Sequence, residues 1–236
     1  MSNRIILAAD NIPIERCVQL GPIIGERAYA IKVHELYDRH GPKAIARLKN
    51  AGWRRVWDDA KLHDIPNTVK LRARAIAHAG ADISSVHAKG EVEMMMAAKE
   101  SGAIIFAITE LTSLSEEQIH LLSGQPSKAS VLYLARLAKL AEVDGVVSSA
   151  LEVNMLTKRP ELIGLKRVTP GLRSAGKETH DQQRVDTPTA ALKNGSDLLV
   201  IGRQLTEASD VAAAYDELEQ EIARALPPGS LVDTKA

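Results

Sequence analysis

One cysteine, few aromatic residues, no excess of either charge and no long apolar run mark this 236-residue sequence. With Cys17 alone no intramolecular disulfide can form. Cys17 reads most simply as a small buried apolar side chain in a reducing compartment. Aromatic residues make up 3% of the chain, too few for a base-stacking platform or an aromatic sugar-binding cleft. Lys plus Arg and Asp plus Glu are 30 each, so the basic excess usual in proteins that bind long nucleic acid is missing. No apolar run approaches the ~20 residues of a membrane span. Met1-Ser2-Asn3-Arg4 leads only into a short strand-like run, which does not read as a signal peptide. The expectation is a soluble, cytoplasmic protein with neither nucleic acid nor membrane as partner.

What is present is a core-forming chain with a regular alternation. Apolar residues are 45% and charged residues 25%, a globular balance. Eight short runs rich in Ile, Val and Ala recur: Ile5–Asp10, Tyr29–Val33, Val56–Lys61, Ile83–Ala88, Ile104–Leu111, Gly145–Ala150, Arg167–Gly171 and Leu198–Arg203. Each is nearly continuous in hydrophobicity, as parallel strands buried on both faces require. Helical spacing marks Pro42–Ala51, Ile65–Ala79, Ala129–Ala141 and Pro188–Asn194, the last ending at Gly195 in the position of a C′ residue. Eight strand–helix units without long excess sequence predict a closed (β/α)8 barrel rather than an open doubly wound sheet. Asp10-Asn11-Ile12-Pro13 occupies the first strand-to-helix turn where a dinucleotide-binding fold would carry Gly-x-Gly-x-x-Gly. One barrel domain over residues 1–226 and a flexible tail over 227–236 are expected, with a long loop at Ser174–Asp186.

Polar residues gather at the strand ends. They are Asp10, Lys32, Asp59 and Lys61, His87, Thr109 and Thr112, Ser148 and Ser149, Thr169 and Arg173, and Arg203. In a barrel these ends converge on the face where active sites form. Alternation places Asp59 and Lys61 on one side of their strand, pointing into the mouth. A purely structural ion pair there is the less attractive reading, since burying one costs desolvation and rarely adds stability. A lysine beside carboxylates suits proton transfer or charge stabilisation. Asp64 reads equally as the N-cap of the next helix, with Pro66 in its first turn. Thr169-Pro170-Gly171 and Ile201-Gly202-Arg203 suggest an anion site at the last two loops.

The run Asp59-Ala60-Lys61-Leu62-His63-Asp64-Ile65-Pro66-Asn67-Thr68-Val69 resembles the signature of the orotidine 5′-phosphate decarboxylase family. Leu7-Ala8-Ala9-Asp10, Ile31-Lys32-Val33, Val86-His87-Ala88, Thr109-Glu110-Leu111-Thr112-Ser113, Asp144-Gly145-Val146-Val147, Thr169-Pro170-Gly171-Leu172-Arg173, Asp181-Gln182-Gln183-Arg184-Val185 with Thr187-Pro188, and Val200-Ile201-Gly202-Arg203 follow in the same order. Three departures stand out, the last two of them near the mouth. Ala9 replaces a bulkier residue. His34 replaces the usual Gly after Lys-Val, in a segment one residue short. Lys89-Gly90-Glu91 replaces a small-residue pair with Gly.

The resemblance implies decarboxylation of orotidine 5′-monophosphate (OMP) to UMP without metal or cofactor. Lys61 would protonate C6 of the pyrimidine and Asp59 would lie beside the departing carboxylate. Lys32 would link the two carboxylates and the ribose, and Asp10 would bind a ribose hydroxyl. Thr112 would contact the pyrimidine amide, with Ser113 nearby. Gln182 (or Gln183 in the alternative register), Gly202 and Arg203 would hold the phosphate, with Arg173 beside the closing loop. Asp64 and Ile65 would complete the site of a neighbouring subunit, implying a homodimer, with Thr68 as a further substrate contact from the same run. His63 and Asn67 would support. Two alternatives stay open. One is a Mg²⁺-dependent barrel enzyme acting on sugar phosphates, which needs a metal-binding acid near the second strand, where Lys32 stands and the nearest acid is Glu35. The other is a non-catalytic nucleotide-binding relative.

Overall fold

The computed structural model describes residues 3–174 and 186–226. Eight strands, β1 (Ile5–Ala8), β2 (Ala30–Val33), β3 (Val56–Leu62), β4 (Ile83–His87), β5 (Ile104–Ile108), β6 (Gly145–Val147), β7 (Lys166–Thr169) and β8 (Leu198–Ile201), close into a barrel in sequence order. Every neighbouring pair is parallel, and β1 pairs with β8 to complete the ring. The expected (β/α)8 architecture is the one observed. The long loop is pinned at its base, where Leu172 bridges to Asp186 and the Arg173 N–H donates to the Asp186 carbonyl at 3.0 Å. The body of that loop and the expected tail over 227–236 lie outside the described residues.

The helices are α1 (Ile14–Ile24), α2 (Glu35–His40), α3 (Pro42–Asn50), α4 (Pro66–His78), α5 (Glu91–Lys99), α6 (Glu116–Ser123), α7 (Ser127–Leu140), α8 (Ala150–Thr157), α9 (Pro188–Lys193), α10 (Arg203–Thr206) and α11 (Val211–Ala225). No helix among the described residues is long and apolar enough to cross a membrane. Asp64 does not cap α4. Ile65 occupies the N-cap position without a side-chain bond, and Asp64 Oδ1 instead accepts from the Ile65 N–H at 2.7 Å. Pro66 at the first helical position removes the donor that Asp64 would otherwise have reached. Gly195, at φ +101, does sit just past the Asn194 C-cap of α9.

Two apolar layers hold the barrel. Inside it, Ile6, Ala30, Trp57, Ile83, Phe106, Val168 and Leu198 form the floor beneath the mouth, with Trp57 and Phe106 in edge contact at 5.2 Å. Outside it, the alternate strand residues pack on the helices in a second cluster that includes Leu7, Ile31, Val56, Leu62 and Val86. Cys17 is fully buried in this layer, and burial pushes its thiol up to about 12. That is the unreactive apolar residue the sequence suggests.

Asp58 breaks the pattern of the outer layer. It is 2% exposed, and its Oδ2 lacks a hydrogen-bond partner. Burial, and then the charges of Asp59 and Asp38, push its carboxyl up to about 7 against the opposing pull of Arg72 and His34. The folded chain therefore keeps a proton on Asp58 over a range where the unfolded chain, titrating near 4, has lost it. Between those limits stability falls as pH rises, by about 1.4 kcal/mol per unit at most. Asp58→Asn should leave stability at pH 4 nearly unchanged and raise it at pH 8. Urea unfolding at the two pH values checks this, and parallel curves for parent and variant would contradict it.

Candidate active site

A cavity of about 550 Å³ opens at the C-terminal ends of the strands. Its wall includes Asp10 from just beyond β1, Lys32 and His34 from β2 and its exit, and Asp59 and Lys61 from β3. Thr112, Arg173, Gly202 and Arg203 complete the ring. Alternation explains the grouping: Trp57, Asp59 and Lys61 share the inner face of β3, while Val56, Ala60 and Leu62 pack outward.

The centre of the site is one carboxylate held between two ammonium groups. Lys61 Nζ lies 2.6 Å and Lys32 Nζ 3.3 Å from Asp59 Oδ2. Ser85 Oγ donates to the other oxygen, Asp59 Oδ1, at 2.7 Å and accepts from the Lys61 N–H at 3.1 Å. Burial alone pushes Asp59 up, but Lys32, Lys61 and the hydrogen bonds from Lys61 and Ser85 outweigh it and hold the carboxyl below its usual range. Lys32 is buried too. Desolvation pulls it down, and Asp59 and Asp10 more than restore it, so it stays raised and charged.

The backbone is bent to achieve this. Lys61 has φ +45, the left-handed region that non-glycine residues rarely adopt, and the pairing of β3 with β4 shifts register between Asp58 and Leu62. The Ser85 hydroxyl bonded to the Lys61 N–H sits within that irregularity. A strained residue persists where its surroundings over-determine it, which is common at functional positions.

A second carboxylate, Asp10, extends the array toward the mouth. Its Oδ1 accepts from Lys32 Nζ at 3.0 Å and lies 3.0 Å from His34 Nε2. Desolvation raises Asp10, but the His34 and Lys32 contacts prevail and hold it well below the carboxylate range. The exits of β7 and β8 bring Arg173 and Arg203 into the same wall around Gly171 and Gly202, a cationic end suited to an anion.

Several expected positions lie elsewhere. Asp64, Ile65 and Thr68 do not line this chain's own cavity, and Asp64 and Ile65 are exposed beside it. Ser113 is exposed and His63 stacks near His87 at 5.6 Å, outside the cavity wall. Of the other strand-end polar residues, Thr109 Oγ1 donates to the Val147 carbonyl and Thr169 pairs with Ser196 at 2.6 Å. Both are structural. Gln182 and Gln183 lie outside the described residues.

Two wall residues are additions to that set. Glu110 sits two positions past inward-facing Ile108, so strand alternation alone could have placed it. It is bonded by Ser130 Oγ at 2.6 Å and Lys89 Nζ at 2.7 Å, which ties the exits of β4 and β5 together. His34 stands out in the sequence as a departure, but its contact with Asp10 requires β1 and β2 to be adjacent.

Comparison with known proteins agrees with this geometry. The family model described as Orotidine 5′-phosphate decarboxylase / HUMPS family matches residues 3–218. The chain is 44% identical over 194 residues to "Orotidine 5′-phosphate decarboxylase" of Streptococcus pneumoniae (strain ATCC 700669 / Spain 23F-1), covering 79% of this chain and 82% of that protein. The protein of the same name from Streptococcus equi subsp. zooepidemicus (strain H70) is 42% identical over 201 residues, covering 83% of this chain and 86% of that one. The crystal structure of orotidine 5′-phosphate decarboxylase from Lactobacillus acidophilus superposes with a TM-score of 0.78 at 33% identity, over 93% of this chain and 99% of that chain. With the matched model spanning most of the barrel and Asp59, Lys61 and Lys32 facing one cavity, the chain belongs to the orotidine 5′-phosphate decarboxylase / HUMPS family.

Proposed function

We infer that the cavity binds orotidine 5′-monophosphate and releases CO2 to leave UMP, a step of pyrimidine biosynthesis, with Lys61 as proton donor. The observation that carries this reading is the 2.6 Å contact between Lys61 Nζ and a buried, ionised Asp59 at the cavity wall. Losing CO2 from C6 leaves an electron pair in the plane of the ring, where the π system cannot delocalise it. An ammonium beside that carbon stabilises the pair as it forms and then protonates it.

Magnitudes set what else is needed. One unit-charge contact at ~4 Å and an effective dielectric of ~20 is worth about 4 kcal/mol. Enzymatic accelerations take ~8–23 kcal/mol. The remainder comes from an array whose charges are fixed before substrate arrives, and from binding energy gathered at the distant phosphate. Asp59 lies where the departing carboxylate would sit, so CO2 loss relieves a like-charge contact. Asp10 takes a ribose hydroxyl, Thr112 the pyrimidine amide, and Gly202, Arg203, Arg173 and Gln182 the phosphate.

The reaction on this reading needs no metal. Asp10 and Asp59 are the acids nearest to a metal-dependent arrangement, and Lys32 Nζ already lies within 3.3 Å of both. A divalent cation would have to displace a buried ammonium. Asp64 and Ile65 are exposed on the turn between β3 and α4, outside their own cavity wall. Their exposure supports a homodimer in which they, with Thr68 in the first turn of α4, complete the partner's site. The cytoplasm fits such an enzyme and its one buried thiol.

Four outcomes follow. Loss of OMP absorbance should proceed unchanged in EDTA. Lys61→Ala should slow it by at least about 10⁵-fold, since both charge stabilisation and the proton donor go, while UMP still binds. Near-normal turnover in that variant would sink the assignment. Arg203→Ala should raise KM for OMP by about tenfold or more with a smaller effect on kcat, and an unchanged KM would remove Arg203 from the phosphate site. Finally, Lys61→Ala and Asp64→Asn chains are each expected to be nearly inactive alone. Allowed to exchange subunits, they should regain about a quarter of wild-type activity through the one intact site of each mixed dimer. No recovery on mixing would count against a shared site.

A further inference from the structure

His34 lines the cavity but belongs to neither the charge array nor the anion end. Its imidazole stands between two carboxylates on different elements. Nε2 lies 3.0 Å from Asp10 Oδ1, beyond β1, and Nδ1 lies 3.1 Å from Glu35 Oε2, on α2. Glu35 Oε2 is buried and makes no hydrogen bond in the neutral arrangement, in which Nδ1 accepts from the Glu35 N–H at 2.9 Å. In this arrangement Nε2 carries the ring proton and donates to Asp10 Oδ1 while the Glu35 N–H holds Nδ1, and the Asp10 contact raises the ring's affinity for a second proton. Lys32, from β2, and Asp58, from β3, are the other charged groups that act on it.

The consequence falls on Asp10. Its side chain is 44% exposed and free to turn toward solvent unless both donors hold it. Lys32 alone is a divided anchor, because it also reaches Asp59. Two donors converging on the same Oδ1 fix the carboxylate plane. Oδ2 makes no hydrogen bond among the described residues and is left to accept one.

We propose that His34 is a positioning residue for the sugar end of the substrate: braced by Glu35, it clamps Asp10 Oδ1 together with Lys32 so that Asp10 Oδ2 is presented to a ribose hydroxyl. This rests on the reading of Asp10 given above. His34 contacts neither Asp59 nor Lys61, so its removal weakens binding and leaves the chemical step alone.

The test uses three variants of the full chain. His34→Ala should raise KM for OMP about tenfold with kcat within about twofold of wild type. In calorimetry it should also lose most of the preference for UMP over whichever of 2′-deoxy-UMP and 3′-deoxy-UMP the wild type binds more weakly. The other two variants separate positioning from helix capping, because Nδ1 also caps α2. His34→Gln places an N–H where Nε2 was and should restore KM to within about twofold. His34→Asn keeps only the capping acceptor near Nδ1 and should behave like His34→Ala. Rescue by Asn rather than Gln makes His34 a cap and overturns the proposal, as does an unchanged KM and hydroxyl preference in His34→Ala. A wild-type chain without OMP turnover would overturn the reading of the site and this inference with it. A wild type that turns over OMP beside an unaffected His34→Ala would overturn the inference alone.

Discussion

A carboxylate cannot stay ionised in the wall of a barrel unless cations meet it there, and the site follows from that constraint. Asp59 is 6% exposed. An unpaired charge so placed would take up a proton rather than bear the desolvation cost. Lys32 and Lys61 hold it ionised, Ser85 fixes its orientation, and Asp59 in turn keeps the buried Lys32 charged. The cluster is therefore assembled when the barrel closes. Neither lysine has to be recruited during the reaction, which is what allows electrostatics to act without reorganisation.

The same constraint explains the strain at Lys61. On a regular strand Asp59 and Lys61 would point inward in parallel, some 7 Å apart at the backbone. The register shift in β3 and the φ of +45 at Lys61 accompany a 2.6 Å contact between their side chains. A left-handed lysine costs of order 1–3 kcal/mol. The barrel core offsets it, with both apolar layers packed above and below the strand.

The sequence makes the architecture legible because each strand is buried on both faces and so forms an unbroken apolar run. The polar residues that end those runs mark the mouth. Asp10, Lys32, Asp59, Lys61, Arg173 and Arg203 were all readable in this way and share one cavity. His87, Thr109 and Thr169 end strands in the same fashion yet turn to structural partners, since a strand-end position does not by itself fix which face a side chain takes. Helix α1 was opaque for a different reason. Gly21 and Pro22 stand in its interior, and a Cβ on Gly21 would lie 2.1 Å from the Ala51 carbonyl oxygen. The glycine is there to let α1 meet the end of α3, a tertiary reason with no local signal. The role of His34 was hidden likewise, because it depends on Asp10, which is distant in sequence and adjacent only across the β1–β2 pair.

The central claim is that the Lys61 ammonium delivers the proton to C6. Microscopic reversibility gives its most direct test. If Lys61 donates that proton, the same nitrogen, as the free amine, removes it from bound UMP. Exchange of the UMP C6 hydrogen in D2O, followed by proton NMR, should be catalysed by the wild-type chain and lost in Lys61→Ala at saturating UMP. Exchange at the wild-type rate in that variant would contradict the account, because another group would then be handling the proton.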